Sequence, residues 1–321
     1  MKTLVLAVGE LLIDFVPGEK DTSLYDASTL RKAAGGAPAN VAAVVARLGG
    51  DSAFVGRVGN DSFGRWLRDT LGEVGIDTSG TVLDGGAQTT LAFVSVDAVG
   101  DRDFSFYRND TADTRLAARD LREEQLAAAA VLHYCSNSLT HESSRHATLE
   151  AARRASAHGA LVSFDVNYRA PLWSSASEAR SRITEALAPA NIIKLSEAEL
   201  EFLAGSADPE AAHDLLNPGV RLLLLSAGAE GVHVLQRGRH GHVRAWPVEA
   251  ADTTGAGDAL AGAVLHQIAR DRSLLDSFDR LLEAVSTAAA VAALSTRTAG
   301  AIPSYPDQAS VEAFMAGRRA G

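Results

Sequence analysis

The chain has 321 residues, of which 46% are apolar and 22% are charged, and its formal net charge is −10. These proportions are those of globular proteins, so we expect one large domain over residues 1–321 rather than a disordered chain. The acidic balance excludes nucleic acid and anionic membrane surfaces as general partners, because both attract clustered Lys and Arg.

The N-terminal sequence and the cysteine content indicate in which cellular compartment the protein is located. The first twenty residues begin as an apolar run, but Glu10 and Asp14 interrupt it and no signal-peptide cleavage site follows. No run approaches the ~18–20 apolar residues of a membrane span. The single cysteine, Cys135, excludes an internal disulfide, and we expect it to be a packed core residue at the end of a strand. We therefore expect a cytoplasmic protein.

In chain order, the hydrophobic pattern first predicts two strand–helix pairs. A strand at about 2–9 precedes a helix at about 38–48 with Pro38 in its first turn, and a strand at 52–58 precedes a helix at 62–75. Residues 89–107 break this alternation, because two runs rich in Val, Phe, Thr and Tyr flank a Gly/Asp turn. They predict an antiparallel hairpin that would serve as a lid.

The alternation returns at residue 131 and continues to the C-terminal part of the chain. Strands are predicted near 131–135, 160–165, 191–195 and 221–225, and helices near 142–157, 176–188 and 197–204. Two further strands, 231–236 and 242–248, lead to final helices at about 255–270 and 278–294. The order predicts an α/β fold with a mainly parallel sheet wrapped by helices.

The stretch DTTGAGDALAG at 252–262 places two glycines and an aspartate before a helical run. Gly255 and Gly257 allow the backbone to approach a ligand, and the helix N-terminus offers unpaired N–H groups for an anion. Asp258 could accept a proton from an attacking hydroxyl. An aspartate in a first helical turn is also favourable by ~0.3–1 kcal/mol, so capping and catalysis both remain open for this motif alone. No Walker A sequence occurs in the chain, so phosphoryl transfer would need another scaffold.

A second motif lies at 33–50, where Gly35 and Gly36 precede a helix containing Asn40. The Asn40 amide can both donate to and accept from hydroxyl groups, which suits a polyol. A turn followed by an ordinary amphipathic helix explains the same residues equally well. His240 and His242 share a Gly/Arg-rich turn, but without a third ligand we expect no metal site there.

Together the two motifs resemble the paired signatures of the ribokinase-like (PfkB-type) carbohydrate kinases, and the similarity is closest to the fructokinases. Other matching segments are GELLIDFVP at 9–17, FVGRVGNDSFGRWL at 54–67, FSFYRN at 104–109, ALVSFDVNYRAPLW at 160–173, KLSEAEL at 194–200 and GAIP at 300–303. The resemblance implies a ribokinase-like three-layer α/β/α domain with a central, mainly parallel sheet. It also implies a small β-sheet lid formed by segments of about 10–33 and 85–112.

The activity that this resemblance implies is transfer of the γ-phosphoryl group of ATP to a sugar hydroxyl, with fructose as the expected sugar. Rival substrates within the same fold are 2-keto-3-deoxygluconate, ribose and nucleosides. A non-catalytic sugar or nucleotide sensor is a different alternative, which the retention of Asp258 and of both glycines disfavours.

The resemblance also assigns residue roles. Asp258 matches the catalytic base, and the backbone of Gly255, Ala256 and Gly257 matches the anion hole. The residues that match sugar or phosphate contacts are Asp14, Gly35, Gly36, Asn40, Arg108 and Arg169. Those that match nucleotide contacts are Lys194, Ser226, Gly228, Gly231 and Gly257.

Metal ions and nucleotide selectivity are implied in the same way. Glu199 matches the acidic end of an Asn-x-x-Glu motif that organises Mg²⁺ through water, although Ser196 replaces the Asn and a helix capping box fits this spacing equally well. Asp252 matches the ligand of a monovalent cation, which implies K⁺ as an activator. Ala289 replaces an Asn that many relatives place against adenine, so we expect looser adenine selectivity.

The hairpin at 89–107 leads to one more expectation. An exposed two-stranded edge is prone to pair with another chain, so we expect the lid to contribute to a homodimer. The other expected partners are a small sugar and ATP.

Overall fold

The computed structural model describes residues 2–19, 22–96 and 102–319. Its strands β1 to β13 are Leu4–Val8, Leu12–Pro17, Leu30–Gly35, Ser52–Gly59, Asp77–Asp84, Leu91–Val96, Arg102–Tyr107, Ala129–Cys135, Leu161–Asp165, Ile192–Ser196, Leu222–Ser226, Val232–Gln236 and Arg239–Val243. Its helices α1 to α9 are Ala37–Arg47, Ser62–Val74, Glu123–Ala128, Glu142–Ala157, Ala176–Leu187, Glu197–Ala204, Ala256–Arg270, Phe278–Ser295 and Gln308–Arg319.

The main sheet has nine strands in the order β13-β12-β11-β10-β9-β8-β1-β4-β5. The strands from β11 to β5 are all parallel to their neighbours, and β12 and β13 add an antiparallel edge. The mainly parallel α/β architecture expected from the sequence is therefore confirmed.

Helices cover both faces of this sheet and form three layers. In β11, Leu222 and Leu224 face the layer that contains α1, α7 and α8, whereas Leu223 and Leu225 face the layer of α4, α5 and α6. Burial on both faces explains why this strand is a continuous apolar run, and each buried leucine contributes about 1.5–3 kcal/mol. Three neighbouring strands of this sheet, β9, β10 and β11, end in polar residues, at Asp165, Ser196 and Ser226.

Helices α1 and α7 contact each other closely through a small residue. A Cβ atom on Gly262 of α7 would lie 2.7 Å from Cβ of Val44 in α1, so a larger residue there would push the helices apart. Because of this contact, the helices that follow the two sequence motifs lie side by side.

A second, four-stranded sheet has the order β3-β2-β6-β7. The hairpin expected at 89–107 is confirmed, since β6 and β7 are antiparallel with Leu91 opposite Tyr107, although its Gly/Asp turn at 97–101 lies outside the described residues. Strand β2 pairs antiparallel with β3 and parallel with β6, which joins the two segments. We call these four strands the small sheet, and they lie within the segments expected to form the lid, with β3 extending to Gly35.

The strand predicted at 242–248 is wrong. Strands β12 and β13 form a tight hairpin with Gln236 opposite Arg239, and Gly238 occupies the turn with a φ of +74°. His240 and His242 therefore lie in β13 and not in a turn. The chain leaves the sheet after Val243, and Pro247, which lacks an N–H donor, could not continue the ladder in its interior.

Three elements lie where neither the sequence pattern nor the family resemblance predicts any: β5, α3 and α9. Strand β5 is a half-exposed edge strand with a glycine in its centre, so its pattern is weak. Helix α9 follows α8, so the helix at 278–294 is not the last in the chain; the Phe314 ring of α9 lies 5.6 Å from that of Trp246. None of the helices in the described ranges is long and apolar enough to cross a membrane.

Candidate active site

Helices α1 and α7 both begin at glycines whose backbone conformation and surroundings disfavour any side chain. Gly36 has a φ of +114°, and a Cβ atom there would lie 2.3 Å from the backbone oxygen of Glu10. Gly255 has a φ of +76°, and its Cβ would lie 2.4 Å from the Tyr305 hydroxyl. Both turns therefore need glycine for conformation and for space.

Residues of the two sequence motifs contact each other at these helix ends. The amide Nδ2 of Asn40 donates a 2.8 Å hydrogen bond to Oδ2 of Asp258. On the small sheet, Asp14 approaches Gly35 so closely that a Cβ atom on Gly35 would overlap its carboxylate. Four predicted site residues, Asp14, Gly35, Asn40 and Asp258, thus lie together where the small sheet meets the two helix ends, and we call this place the cleft.

Two carboxylates in this cleft have strongly perturbed acidities. Burial raises the pKa of Asp258 to about 7, and the charge of Asp165 adds to this effect, while Asn40, Lys194 and Arg169 oppose it. Burial likewise raises the pKa of Asp14 to about 7, with Arg169 opposing and Asp258 adding. Asp258 is therefore suited to exchange a proton near neutral pH, and Arg169 is close enough to influence both carboxylates.

A buried cation lies beside the first turn of α7. The Nζ atom of Lys194 is 2.9 Å from the position that a Cβ atom on Gly257 would take. Lys194 forms an ion pair with Asp165 at 3.1 Å. Burial by itself would lower the pKa of Lys194, but the nearby carboxylates of Asp165, Glu199 and Asp258 outweigh it and raise the pKa. The ammonium group therefore remains charged next to a helix N-terminus that favours anions.

One of the three predicted anion-hole donors already has a protein acceptor. The N–H group of Ala256 donates to the backbone oxygen of Thr253 at 3.2 Å. A ligand anion would therefore have to compete with Thr253 for this donor.

A cavity of about 520 Å³ opens beside the same helix end, which is in the size range of small-molecule sites. Its lining includes the predicted nucleotide residues Ser226, Gly228, Gly231 and Gly257, together with Ala289 of α8. The segment that was wrongly predicted as a strand supplies another wall of this cavity, Ala245 to Val248. Within it, Trp246 is anchored because its indole N–H donates to the Ser286 backbone oxygen at 2.9 Å.

Arg108 is buried, and its guanidinium group is engaged by the protein. It donates to Asp113 at 2.7 Å, to the Thr140 hydroxyl at 2.7 Å and to the Asn137 backbone oxygen at 3.0 Å. These bonds use three of its five N–H donors. Its contact with a substrate stays a prediction.

Glu199 and Ser196 form the helix capping box that their spacing allows. Its carboxylate accepts from Ser196 N at 2.7 Å and from Tyr168 N at 2.8 Å, while the Ser196 hydroxyl accepts from Glu199 N. Each oxygen thus accepts one hydrogen bond from the backbone, and the role of Glu199 toward Mg²⁺ through water stays a prediction. Within 2–19, 22–96 and 102–319, no group of three or more His, Cys, Asp or Glu is placed to hold a metal ion by itself.

Asp252 connects two loops at the base of the site. Its carboxylate accepts from Thr254 N at 2.7 Å and from Gly300 N at 2.9 Å. It thereby ties the turn before Gly255 to the GAIP segment. Its role toward a monovalent cation stays a prediction.

Sequence reasoning missed two buried acids, Asp165 and Glu10. Glu10 accepts hydrogen bonds from Ala37 N at 3.3 Å and from the Asn137 amide at 3.1 Å, and so links the start of α1 to the end of β8. The Cys135 thiol also donates to it, and this cysteine is a buried free thiol at a strand end, as predicted. Each acid lies within two residues of the carboxyl end of an apolar strand, Glu10 in GELL and Asp165 in FDVN, and that position is the signal that could have identified it.

Comparison with known proteins identifies the family of the chain. A family model described as pfkB family carbohydrate kinase matches residues 2–308. Fructokinase-1 from Zea mays is 47% identical over 312 residues, which cover 97% of each chain. The structure of fructokinase with bound ATP from Xylella fastidiosa has a TM-score of 0.92 and 36% identity, and covers 99% of this chain and 100% of that one.

Another structural relative is fructokinase from Vibrio cholerae O395, solved with fructose, ADP and calcium ion. Its TM-score is 0.87 at 33% identity, over 98% of this chain and 99% of that chain. A double mutant of the same enzyme, solved with fructose, ADP and potassium ion, also has a TM-score of 0.87, with 98% of each chain covered. Because the family model and these relatives span nearly the whole sequence, the chain belongs to the pfkB family of carbohydrate kinases.

Proposed function

We propose that this carbohydrate kinase transfers the γ-phosphoryl group of ATP to a primary hydroxyl of fructose. The observation that carries the proposal is the hydrogen bond between Asn40 and Asp258, which joins the polyol-binding motif to the anion-binding helix end. The relatives named fructokinase support fructose as the sugar.

In this proposal Asp258 acts as the general base. It accepts the proton of the sugar hydroxyl as that oxygen attacks the γ-phosphorus in line. Asn40 orients the carboxylate. Asp14 and Arg169 contact the sugar, and the turn of Gly35 and Gly36 lets its hydroxyls approach the backbone. Arg108 would contact the sugar through its remaining N–H donors.

The helix N-terminus and Lys194 supply the positive charge for phosphoryl transfer. The backbone at Gly255, Ala256 and Gly257 faces the phosphate, and Lys194 lies next to Gly257. The adjacent cavity fits a nucleotide in size, with Ser226, Gly228 and Gly231 on the phosphate and ribose side and Ala289 at the base. Mg²⁺, held mainly by the ATP phosphates and through water by Glu199, would neutralise developing charge.

The small sheet acts as a lid in this proposal and contributes to a homodimer in the cytoplasm. Among the described residues, the exposed large apolar side chains are Tyr25 at 97%, Leu30 at 42% and Tyr107 at 65%, and all three lie in or next to the small sheet. Light scattering at micromolar concentration should give a dimeric mass, and Leu30→Lys should weaken association. A monomeric mass for the wild type would contradict the dimer.

We also propose K⁺ as an activator bound next to Asp252. A cation there would stiffen the two loops that Asp252 connects, and so the turn of Gly255. We expect higher kcat in K⁺ than in tetramethylammonium at equal ionic strength, and no such difference in Asp252→Ala. Equal wild-type rates in both salts would contradict this role.

A coupled ADP-release assay over a panel of acceptors tests the main proposal. We expect the highest kcat/KM for fructose, compared with 2-keto-3-deoxygluconate, ribose and adenosine, and NMR of the product should place the phosphate on a primary carbon. A preference for the keto acid would overturn fructose as the substrate. No turnover with any acceptor would overturn the proposed reaction.

A further inference from the structure

Asp165 is a fully buried acid at the carboxyl end of β9, and it pairs with the ammonium group of Lys194. In the sheet register it lies opposite Lys194 of β10 and beside Cys135 of β8. A buried charge is costly unless it is paired, and burial leaves Asp165 with few partners to choose from. Its contacts therefore indicate what it holds in place.

The first contact is with Lys194. The two oxygens of Asp165 lie 3.2 Å and 3.1 Å from the Lys194 ammonium. The stem of Lys194 is flexible, so its ammonium could reach several positions. With Asp165 on one side and Gly257 on the other, it is confined to the first turn of α7.

The second contact is with the turn that follows β9. Oδ1 of Asp165 accepts a 3.1 Å hydrogen bond from Asn167 N. Asn167 has a φ of +34°, an unusual conformation for a residue with a side chain. Two residues later the chain reaches Arg169, whose charge acts on both Asp14 and Asp258. The carboxylate of Asp165 thus supports Lys194 on the phosphate side and the loop that carries Arg169 on the sugar side.

We infer that Asp165 is a positioning residue for phosphoryl transfer, which holds Lys194 against the anion-binding turn and holds the loop of Arg169 at the sugar. This inference rests on the proposed function of the cleft. It predicts that the two contacts of Asp165 affect different kinetic constants. Loss of the contact with Lys194 should lower kcat, and loss of the Asn167 contact should raise the KM for fructose.

Two substitutions of Asp165 distinguish the contacts. Asp165→Asn keeps an oxygen that can accept from Asn167 N but removes the charge that pairs with Lys194. We expect it to lower kcat at least about tenfold with the KM for fructose unchanged. Asp165→Ala removes both contacts and should also raise the KM for fructose. Equal effects of the two variants on kcat and on KM would overturn the inference.

A double-mutant cycle with Lys194→Met tests whether Asp165 acts through Lys194. We expect Asp165→Asn to change kcat little in the Lys194→Met background, because the ammonium that it positions is already absent. The double variant holds no unpaired charge from this pair, so it should fold even if one of the single variants folds poorly. Additive effects would overturn the role of Asp165 in positioning Lys194.

Asp120→Asn is the matched control, because Asp120 forms a largely buried ion pair with Arg57 at 3.1 Å away from the cleft. It should lower thermal stability but leave kcat and both KM values unchanged. If it lowers kcat as Asp165→Asn does, the kcat loss reflects general destabilisation and the inference is wrong. A wild-type chain without any kinase activity would instead overturn the proposed function, and the two failures are therefore distinguishable.

Discussion

Asn40 and Asp258 are 218 residues apart in the chain, yet the amide of Asn40 donates a 2.8 Å hydrogen bond to the carboxylate of Asp258. The bond forms because α1 and α7 contact each other through small residues, which brings both glycine-capped helix ends to one cleft. In the proposed mechanism, this bond joins the group that recognises the sugar hydroxyls to the group that accepts the proton.

Replacing Asp258 by Asn should remove the proton acceptor while preserving the shape of the turn. We expect kcat to fall by about 10²–10⁴, the usual contribution of a general base, while ATP affinity measured by calorimetry is retained. Asp279→Asn, at an exposed aspartate in the first turn of α8, is the matched control for the loss of a helix-end charge. Near-normal turnover in Asp258→Asn would show that this residue only caps the helix.

The pH dependence of kcat/KM should follow the ionisation of Asp258. Because its pKa is raised to about 7 and the base must be deprotonated, the rate should rise through this range as the pH increases. The hydrogen bond from Asn40 stabilises the charged form of Asp258, so Asn40→Ala should raise the pKa of Asp258 and move the rise of kcat/KM to higher pH. If the rise stays at the same pH, or moves to lower pH, Asp258 is not the group that titrates.

The same carboxylates should make the free enzyme less stable at alkaline pH. The pKa of Asp14 and that of Asp258 are about 7 in the folded protein, against 3.8 for the ordinary group, so the native state binds more protons between these values. The free energy of unfolding should therefore fall as the pH rises from about 4 to about 7. Asp258→Asn should unfold at a temperature about 2 °C or more above wild type at pH 8, with the gap closing below pH 4. A lower unfolding temperature for the variant at pH 8 would contradict this linkage.

Gly255 and Gly72 provide a paired test of the helix turn. Gly255→Ala forces a Cβ atom into a left-handed backbone 2.4 Å from the Tyr305 hydroxyl, so we expect it to lose about 1–3 kcal/mol of stability and most of the activity. Gly72 lies exposed in α2 with nothing within 4 Å of an added Cβ. Gly72→Ala should be stabilising by about 0.5–1 kcal/mol, as measured by urea unfolding. Equal stability changes in the two variants would be inconsistent with the geometry.

Selectivity for the base of the nucleotide should be low. The cavity wall around Ala289 is formed mostly by apolar side chains, among them Trp246 and Leu260, which cannot read the hydrogen-bonding edge of a base. We expect kcat/KM for GTP to lie within about tenfold of that for ATP. Ala289→Asn should increase the ratio of kcat/KM for ATP to that for GTP. A wild-type ratio above a thousandfold would contradict the expected low selectivity.

The local elements were predictable because their signals are local. The apolar run of β11 and the Pro38 start of α1 both follow from neighbouring residues, and the predicted helices at 142–157 and 176–188 match α4 and α5 within one residue. The strand at 242–248 was wrong because the reversal at Gly238 depends on pairing with β12. Edge strand β5 was missed because half of its surface faces solvent and its pattern is weak.

The sequence by itself determined the alternating α/β order, the two glycine motifs and the identity of Asp258 and Asn40 as chemically competent groups, because each depends on residues close together in the chain. The tertiary structure decided which of these groups meet. Sheet register put Asp165 opposite Lys194, helix packing put Asn40 on Asp258, and burial gave Arg108 the partner Asp113. Such contacts depend on long-range packing and strand order, which no local pattern of residues specifies.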